Sequence, residues 1–470
     1  MLKIAFVSPP LGLAQRYGRL APLGSSMPSI ALLSLAAVAK KEGFEVLIIP
    51  ADSMGLDRER ITERISQFQP DCLAITSTTP AIYEAHRLAE RVKRLNNKIT
   101  TLIGGHHISA LPRETMRHFP GFDIGIVNEG ELTLSELLGR LDRKEPIEPV
   151  KGIVFRGDGE IVLNDTREFI VDLDTLPYPA WELLEGFPSS YYPPFFRFKR
   201  MPAAAIVTSR GCPQQCIFCS KAVFGNHIRF FGAEYVFGMM ELLRNRYGVK
   251  EILIEDDTFL VKKERARDIC ALILKNRLDI SWSCLARVDD AEEDILRLMK
   301  RSGCWQIGFG IESGSQEVLD LAKKNINLAD ARRAMEIARK TGISTKGFFI
   351  LGFPNDTPAT LEDTAGFIRE SSLSDISVSF MTPMPGTELY SRAGELGRFD
   401  DNWEKMSLLN IVFIPKGLSR EQLKKYSRLL VRRFYLRPKV IFAYILRVIL
   451  NPFACVRAVR GLWGFLRECR

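Results

Sequence analysis

Apolar positions in the first 145 residues alternate between two rhythms. Short runs rich in aliphatic and β-branched side chains, at residues 4–8, 45–49, 72–77, 100–103 and 124–127, predict strands. Between them, residues 30–41, 58–68, 81–95, 113–119 and 132–141 space their apolar residues at helical intervals. This alternation predicts a parallel, doubly wound α/β sheet over residues 1–145, with ligands outside the carboxyl ends of the strands. Those ends carry Pro9-Pro10, Ser77, Gly104-Gly105-His106-His107 and Asn128-Glu129-Gly130-Glu131.

The rhythm breaks at residues 146–200. Residues 153–162 read as a β-hairpin around Asp158-Gly159. Then Pro177, Pro179, Pro188, Pro193 and Pro194 fall among Trp181, Tyr191, Tyr192, Phe195 and Phe196. Such proline density predicts a fixed, extended linker. Its aromatics either pack on both neighbouring domains or stand at a substrate entrance. From 201 to 400 the alternation resumes, with strands expected at 203–208, 251–254, 280–285, 306–311, 344–351 and 376–381. Six strands with intervening helices suit an open (β/α)6 partial barrel with its site at the C-terminal strand ends. Residues 401–470 read as helices broken by Pro438 and Pro452.

Composition changes the picture in two places. The overall net charge is +9, but residues 421–470 hold 12 Lys/Arg against 2 Asp/Glu, leaving residues 1–420 almost neutral. A basic, apolar tail carrying Phe442, Tyr444, Trp463 and Phe465 suits peripheral contact with the inner face of a membrane. It equally suits a cap on the barrel or a cover over the substrate. It is too apolar for a nucleic-acid partner, and no RNA-binding module is visible. No apolar run approaches the ~18 residues of a membrane span, and the N-terminal run reads as a first strand rather than a signal peptide. Of the nine cysteines, three share one loop and six are scattered. That is no disulfide framework, and it points to a reducing cytoplasm.

The three are Cys212, Cys216 and Cys219, spaced C-x3-C-x2-C. One short loop so spaced presents three soft thiolates, suited to iron–sulfur clusters or zinc. A [4Fe–4S] cubane normally takes four cysteines, so three would leave one iron open. With His227 the same loop could instead form a Cys3His zinc site, making the chain a zinc-stabilised binding protein. C-x3-C-x2-C with Phe218 before the last cysteine resembles the signature of radical S-adenosylmethionine (SAM) enzymes. The resemblance implies a [4Fe–4S] cluster whose open iron is chelated by SAM, and a 5′-deoxyadenosyl radical formed by reductive cleavage. It also implies an electron donor such as flavodoxin or ferredoxin.

Further motifs carry the resemblance along the barrel. Glu255-Asp256-Asp257 ends the second strand, Arg287 the third, and Gly310-Ile311-Glu312-Ser313-Gly314 the fourth. The resemblance implies SAM contacts at Asp256, Asp257, Arg287, Glu312 and Ser313. Each has a plainer alternative: a helix cap at Asp257 or Ser313, an ion pair of Arg287 with Asp289 or Asp290. The N-terminal strand ends resemble the cobalamin-binding domain that precedes many radical SAM modules. That implies cobalamin contacts at Pro10, Ser77, Gly104, Gly105, His106, Glu129 and Gly130. One departure stands out: the Asp-x-His-x-x-Gly pattern that supplies a lower cobalt ligand is absent.

Together these features lead to the expectation of a cobalamin-dependent radical SAM enzyme that methylates an unactivated carbon of a small, lipophilic substrate. The alternative within the same family is an oxidative cyclase similar to the anaerobic magnesium-protoporphyrin monomethyl ester cyclases. No side chain is singled out as catalytic.

Overall fold

Two sheets carry the chain. The computed structural model describes residues 1–157 and 159–449. Predictions falling on Asp158 and on residues 450–470, including Trp463 and Phe465, lie outside the described residues.

The first sheet has seven strands: β1 (Lys3–Ser8), β2 (Glu45–Pro50), β3 (Cys72–Thr76), β4 (Thr100–Gly104), β5 (Ile124–Ile126), β6 (Ile153–Gly157) and β7 (Glu160–Leu163), in the order β2-β1-β3-β4-β5-β6-β7. The first five are parallel. Strands β6 and β7 form the expected hairpin, but β6 pairs antiparallel onto β5, so the hairpin extends the first sheet instead of belonging to the linker. The hairpin covers an edge that would otherwise expose unpaired backbone groups. Helix Ile30–Lys41 shows why the helices form where they do. Ser29 Oγ accepts from Leu32 N at its start, and Leu32, Leu33, Ala36 and Ala37 are buried.

The second sheet is built from β8 (Ala203–Ile206), β11 (Glu251–Ile254), β12 (Ser281–Ala286), β13 (Cys304–Glu312), β14 (Ser344–Leu351) and β15 (Asp375–Phe380), all parallel and in chain order. Between β8 and β11, the short strands β9 (Ser209–Arg210) and β10 (Arg229–Phe230) pair antiparallel and pinch residues 211–228 into a loop. This is the six-stranded partial barrel expected from the sequence. One continuous core joins the two sheets through Leu173, Trp181 and Tyr191 of the linker.

Among the linker aromatics, Trp181 and Tyr191 join the continuous core. Phe195 and Phe198 are buried. Phe196 packs against Tyr435 and Tyr444 at 6.2 and 5.1 Å. Its carbonyl accepts from Gln306 Nε2 near the start of β13. Phe196 thus packs at the N-terminal end of the barrel, while Phe195 and Phe198 cluster with Leu23 and Met201, and Arg197 between them pairs with Glu255 at 2.9 Å. The first part of the tail packs along β15 and against helix Pro358–Glu370, and its Tyr435 and Tyr444 reach Asp375 at the start of β15. Helix Arg420–Tyr435 buries Leu423, Tyr426, Leu430 and Phe434, and Tyr444 donates to Asp375 at 3.0 Å. Among the described residues no helix is long and apolar enough to cross a membrane.

At the N-terminal end of the barrel Glu251 is fully buried, accepting from Ser281 Oγ and Trp305 Nε1. Burial pushes its carboxyl from the usual 4.5 up to about 7, against the pull of those hydrogen bonds. The folded chain therefore holds a proton that the unfolded chain releases, so stability falls as pH rises through that window. Between pH 5 and pH 8 the loss is expected to be about 2 kcal/mol. Denaturant unfolding at both pH values checks it: Glu251→Gln should lose this part of the pH dependence.

Candidate active site

The cysteine loop is anchored before it begins. Asp256, at the end of β11, accepts from Thr208 N, Thr208 Oγ1 and Ser209 N at 2.5–3.1 Å. Arg265 donates to Thr208 O and Phe231 O. Gly211 then turns with φ +86 so close to the His227 carbonyl that a Cβ would stand 2.4 Å from it. Phe218 packs edge-on to Phe353 at 5.5 Å, inside a cluster with Val318 and Met381. The aromatic residue before the last cysteine thus serves packing. It leaves Cys212, Cys216 and Cys219 on the wall of a cavity of about 500 Å³.

The thiols stand side by side without closing on a point. Among the described residues no three His, Cys, Asp or Glu side chains are gathered as a lone metal ion needs, and His227 is exposed. Three thiolates beside an open cavity suit a cubane, whose ligands go to separate irons. The Cys216 thiol is held low, at about 6, by its hydrogen bond with Cys219 and by the Lys324 ammonium. Burial pushes Cys212 up.

Beside the thiols the cavity is lined by Glu255, Asp257, Arg287, Gly310, Glu312 and Lys324, at or beyond strand ends. Glu312 ends β13 at a register shift with φ +69, in the left-handed region. Such a conformation in a non-glycine residue costs about 1–3 kcal/mol and collects at functional sites. It aims the carboxylate at Lys324 Nζ, 2.8 Å away and almost fully buried. Burial works to lower the Lys324 pKa, but Glu312 and the neighbouring thiols leave it raised and the ammonium charged. Asp257 is pushed up by burial and by the adjacent Asp256.

Two of the expected SAM contacts are placed elsewhere. Asp256 is buried away from the cavity, with both oxygens engaged by Thr208 and Ser209. Ser313 is buried against Thr364 and accepts from Ser315 N, so it neither lines the cavity nor caps a helix. Arg287 does line it, though its guanidinium already holds Asp289 at 2.8 Å and the carbonyls of Lys324 and Asn325. Lys324 went unnoticed in the sequence because Lys323-Lys324 reads as a solvated pair. Only burial separates the two.

A second cavity, of about 490 Å³, opens over the carboxyl ends of β1, β3, β4 and β5. Ser77, Gly104, Gly105, His106, Glu129 and Gly130 line it as expected; Pro10 does not, and Pro9 and Leu11 stand there instead. Gly105 turns with φ +102 against the Ser77 carbonyl, 2.8 Å from where its Cβ would be. A Cβ on Gly104 would meet nothing within 4 Å. Bare backbone facing open space beside the apolar Ile30, Leu35 and Ile103 suits the close approach of a large flat ring. His106 is the one histidine that lines it. His107 is buried against Trp403 at 4.6 Å, with burial lowering its pKa to about 4.

Glu129 and Glu131 do more than line a wall. Arg210 donates to Glu129 at 3.1 Å and to Glu131 at 2.6 Å, and Arg229 donates to Glu129 at 2.7 Å. All but Arg229 are buried. This clasp ties the first sheet to the β9–β10 pinch of the cysteine loop. It brings the two cavities together: both are lined by His106, Val207, Val223 and Phe224.

Comparison with known proteins agrees with this geometry. Residues 18–138 match the B12 binding domain and residues 206–368 the Radical SAM superfamily. An uncharacterised methyltransferase of Pyrococcus horikoshii is 34% identical over 467 residues, 98% of each chain. The chain belongs to the cobalamin-binding radical SAM methyltransferase family. An anaerobic magnesium-protoporphyrin IX monomethyl ester cyclase of Rubrivivax gelatinosus is 27% identical over 423 residues, 88% of this chain and 75% of that one. The cobalamin-dependent SAM radical enzyme OxsB, solved with aqua-cobalamin and SAM bound, shares the fold at TM-score 0.75 and 17% identity, over 98% of this chain and 72% of that one. This family member is accordingly an enzyme of the [4Fe–4S], SAM and cobalamin type. The zinc-stabilised, non-enzymatic reading is set aside.

Proposed function

We propose that this enzyme transfers a methyl group to an unactivated carbon of a small, lipophilic molecule held where the two cavities meet. The observation that carries the reading is their shared lining, which gives one bound molecule access to both. When bound, the cluster with SAM supplies a hydrogen-abstracting radical and cobalamin supplies the methyl group.

The chain's own residues then have separable tasks. Cys212, Cys216 and Cys219 would hold the cluster. Lys324 and Arg287, at the cavity wall, would orient a carboxylate, and Asp257 an ammonium group. Glu312, held by Lys324, would accept from ribose hydroxyls. Gly104 and Gly105 would let cobalamin approach the backbone, with Ser77, Gly130 and His106 around it. Glu129 acts through the arginine clasp. Val207, Val223 and Phe224 keep the junction apolar, which favours a lipophilic substrate and keeps water from a radical. An external flavodoxin or ferredoxin would supply the electron.

The test is an anaerobic reaction with methyl-deuterated SAM, reductant, cobalamin and a cellular lipid extract. A product carrying a deuterated methyl group, formed with 5′-deoxyadenosine, supports the reading. Loss of hydrogen or gain of oxygen without methylation would move the enzyme to the cyclase reading. Gly104→Leu sharpens the test. Its side chain enters open space, so folding should be unchanged, SAM cleavage retained, and cobalamin binding and methylation lost.

A further inference from the structure

The helix Pro438–Ile449 is apolar on more than the face that packs. Val440 is buried, and Tyr444 packs on Phe196 and Tyr435. The other side leaves Ile441, Phe442, Ile445 and Leu446 in solvent, with Phe442 68% and Ile445 53% exposed, and Leu436 just before the helix 61% exposed. At 100° per residue those four helix positions cover one continuous arc of about 140°. A surface helix that only capped the barrel would turn a polar face outward there.

The surroundings of the arc decide what covers it. Lys424, Lys425, Arg428, Arg432 and Lys439 are exposed on the same two helices. The chain runs on for another 21 residues of the same character, with Leu462-Trp463-Gly464-Phe465-Leu466 among Arg457, Arg460 and Arg467. With 12 basic and 2 acidic side chains in residues 421–470, a second copy of this tail would be repelled. The 12 described residues of the helix extend about 18 Å, and among the described residues no helix is long and apolar enough to cross a membrane. An apolar arc bordered by Lys439, in a segment holding 12 basic and 2 acidic side chains, fits the headgroup boundary of an anionic bilayer.

We propose that this arc docks the enzyme on an anionic membrane surface, with Phe442 and Ile445 entering the acyl boundary and the flanking lysines and arginines meeting lipid phosphates. The inference deepens the reading of a lipophilic substrate but does not depend on methyl transfer, because docking is measured without SAM or substrate.

Flotation of the full-length protein with phosphatidylcholine vesicles, with and without added phosphatidylglycerol, tests it. Binding should be about tenfold or more tighter with phosphatidylglycerol and weaken with salt. Phe442→Glu/Ile445→Glu should abolish it while leaving the thermal transition and iron content unchanged. Three results would overturn the proposal: no flotation of the wild type with either vesicle, equal flotation of the variant, or a concentration-dependent dimer in sedimentation that the same variant dissociates.

Discussion

Replacing Arg210 by methionine is expected to cost about 3–5 kcal/mol of stability, the range for removing one partner of a buried ion cluster. Arg210 is 6% exposed, and so is Glu129; Glu131 is 5% exposed. Burial alone would weaken the arginine's charge, and the two carboxylates more than restore it. Without it Glu131 keeps no cation of the clasp, and Glu129 depends on Arg229 alone. The cost should appear as a lower denaturant midpoint. Arg210→Met/Glu131→Met should recover part of it, because an apolar pair of similar volume leaves no unpaired charge. If the single variant unfolds like the wild type, the clasp does not hold the first sheet to the cysteine loop.

Cys216→Ala should remove iron and leave cobalamin. The three thiols lie on one cavity and the glycine-walled surface on the other, with no cysteine shared between them. After anaerobic reconstitution the variant is therefore expected to lose nearly all iron and all SAM cleavage while keeping wild-type cobalt content. Gly104→Leu should show the opposite pattern. Loss of both metals from the cysteine variant, with its fold intact, would mean that the two sites are not separate.

Much of this was legible in the residues. Strand–helix alternation predicted both sheets, because a parallel strand buried on both faces leaves a short aliphatic run that no loop imitates. Cys212, Cys216 and Cys219 stood out because soft ligands at that spacing have few other uses, and the structure sets all three on one cavity wall. Where the structure departs from expectation one cause recurs: a motif gives residue types in order but not which way a side chain turns. Asp256 and Ser313 stand within the right motifs yet face inward, one pinning Thr208 and Ser209, the other bound to Thr364. Pro10 gives way to Pro9 one residue earlier. Lys324 was invisible because only a folded Glu312 makes a buried lysine affordable. Phe196 of the linker was ambiguous because its packing at the N-terminal end of the barrel depends on Tyr435 and Tyr444, more than 200 residues later.

The most direct test is the metal content of the wild-type chain, reconstituted anaerobically with iron, sulfide and cobalamin and then desalted. Two cofactor sites that meet in one chain predict about four irons, four sulfides and one cobalt per polypeptide. Zinc in place of iron, or iron with no retained cobalt, would contradict the account.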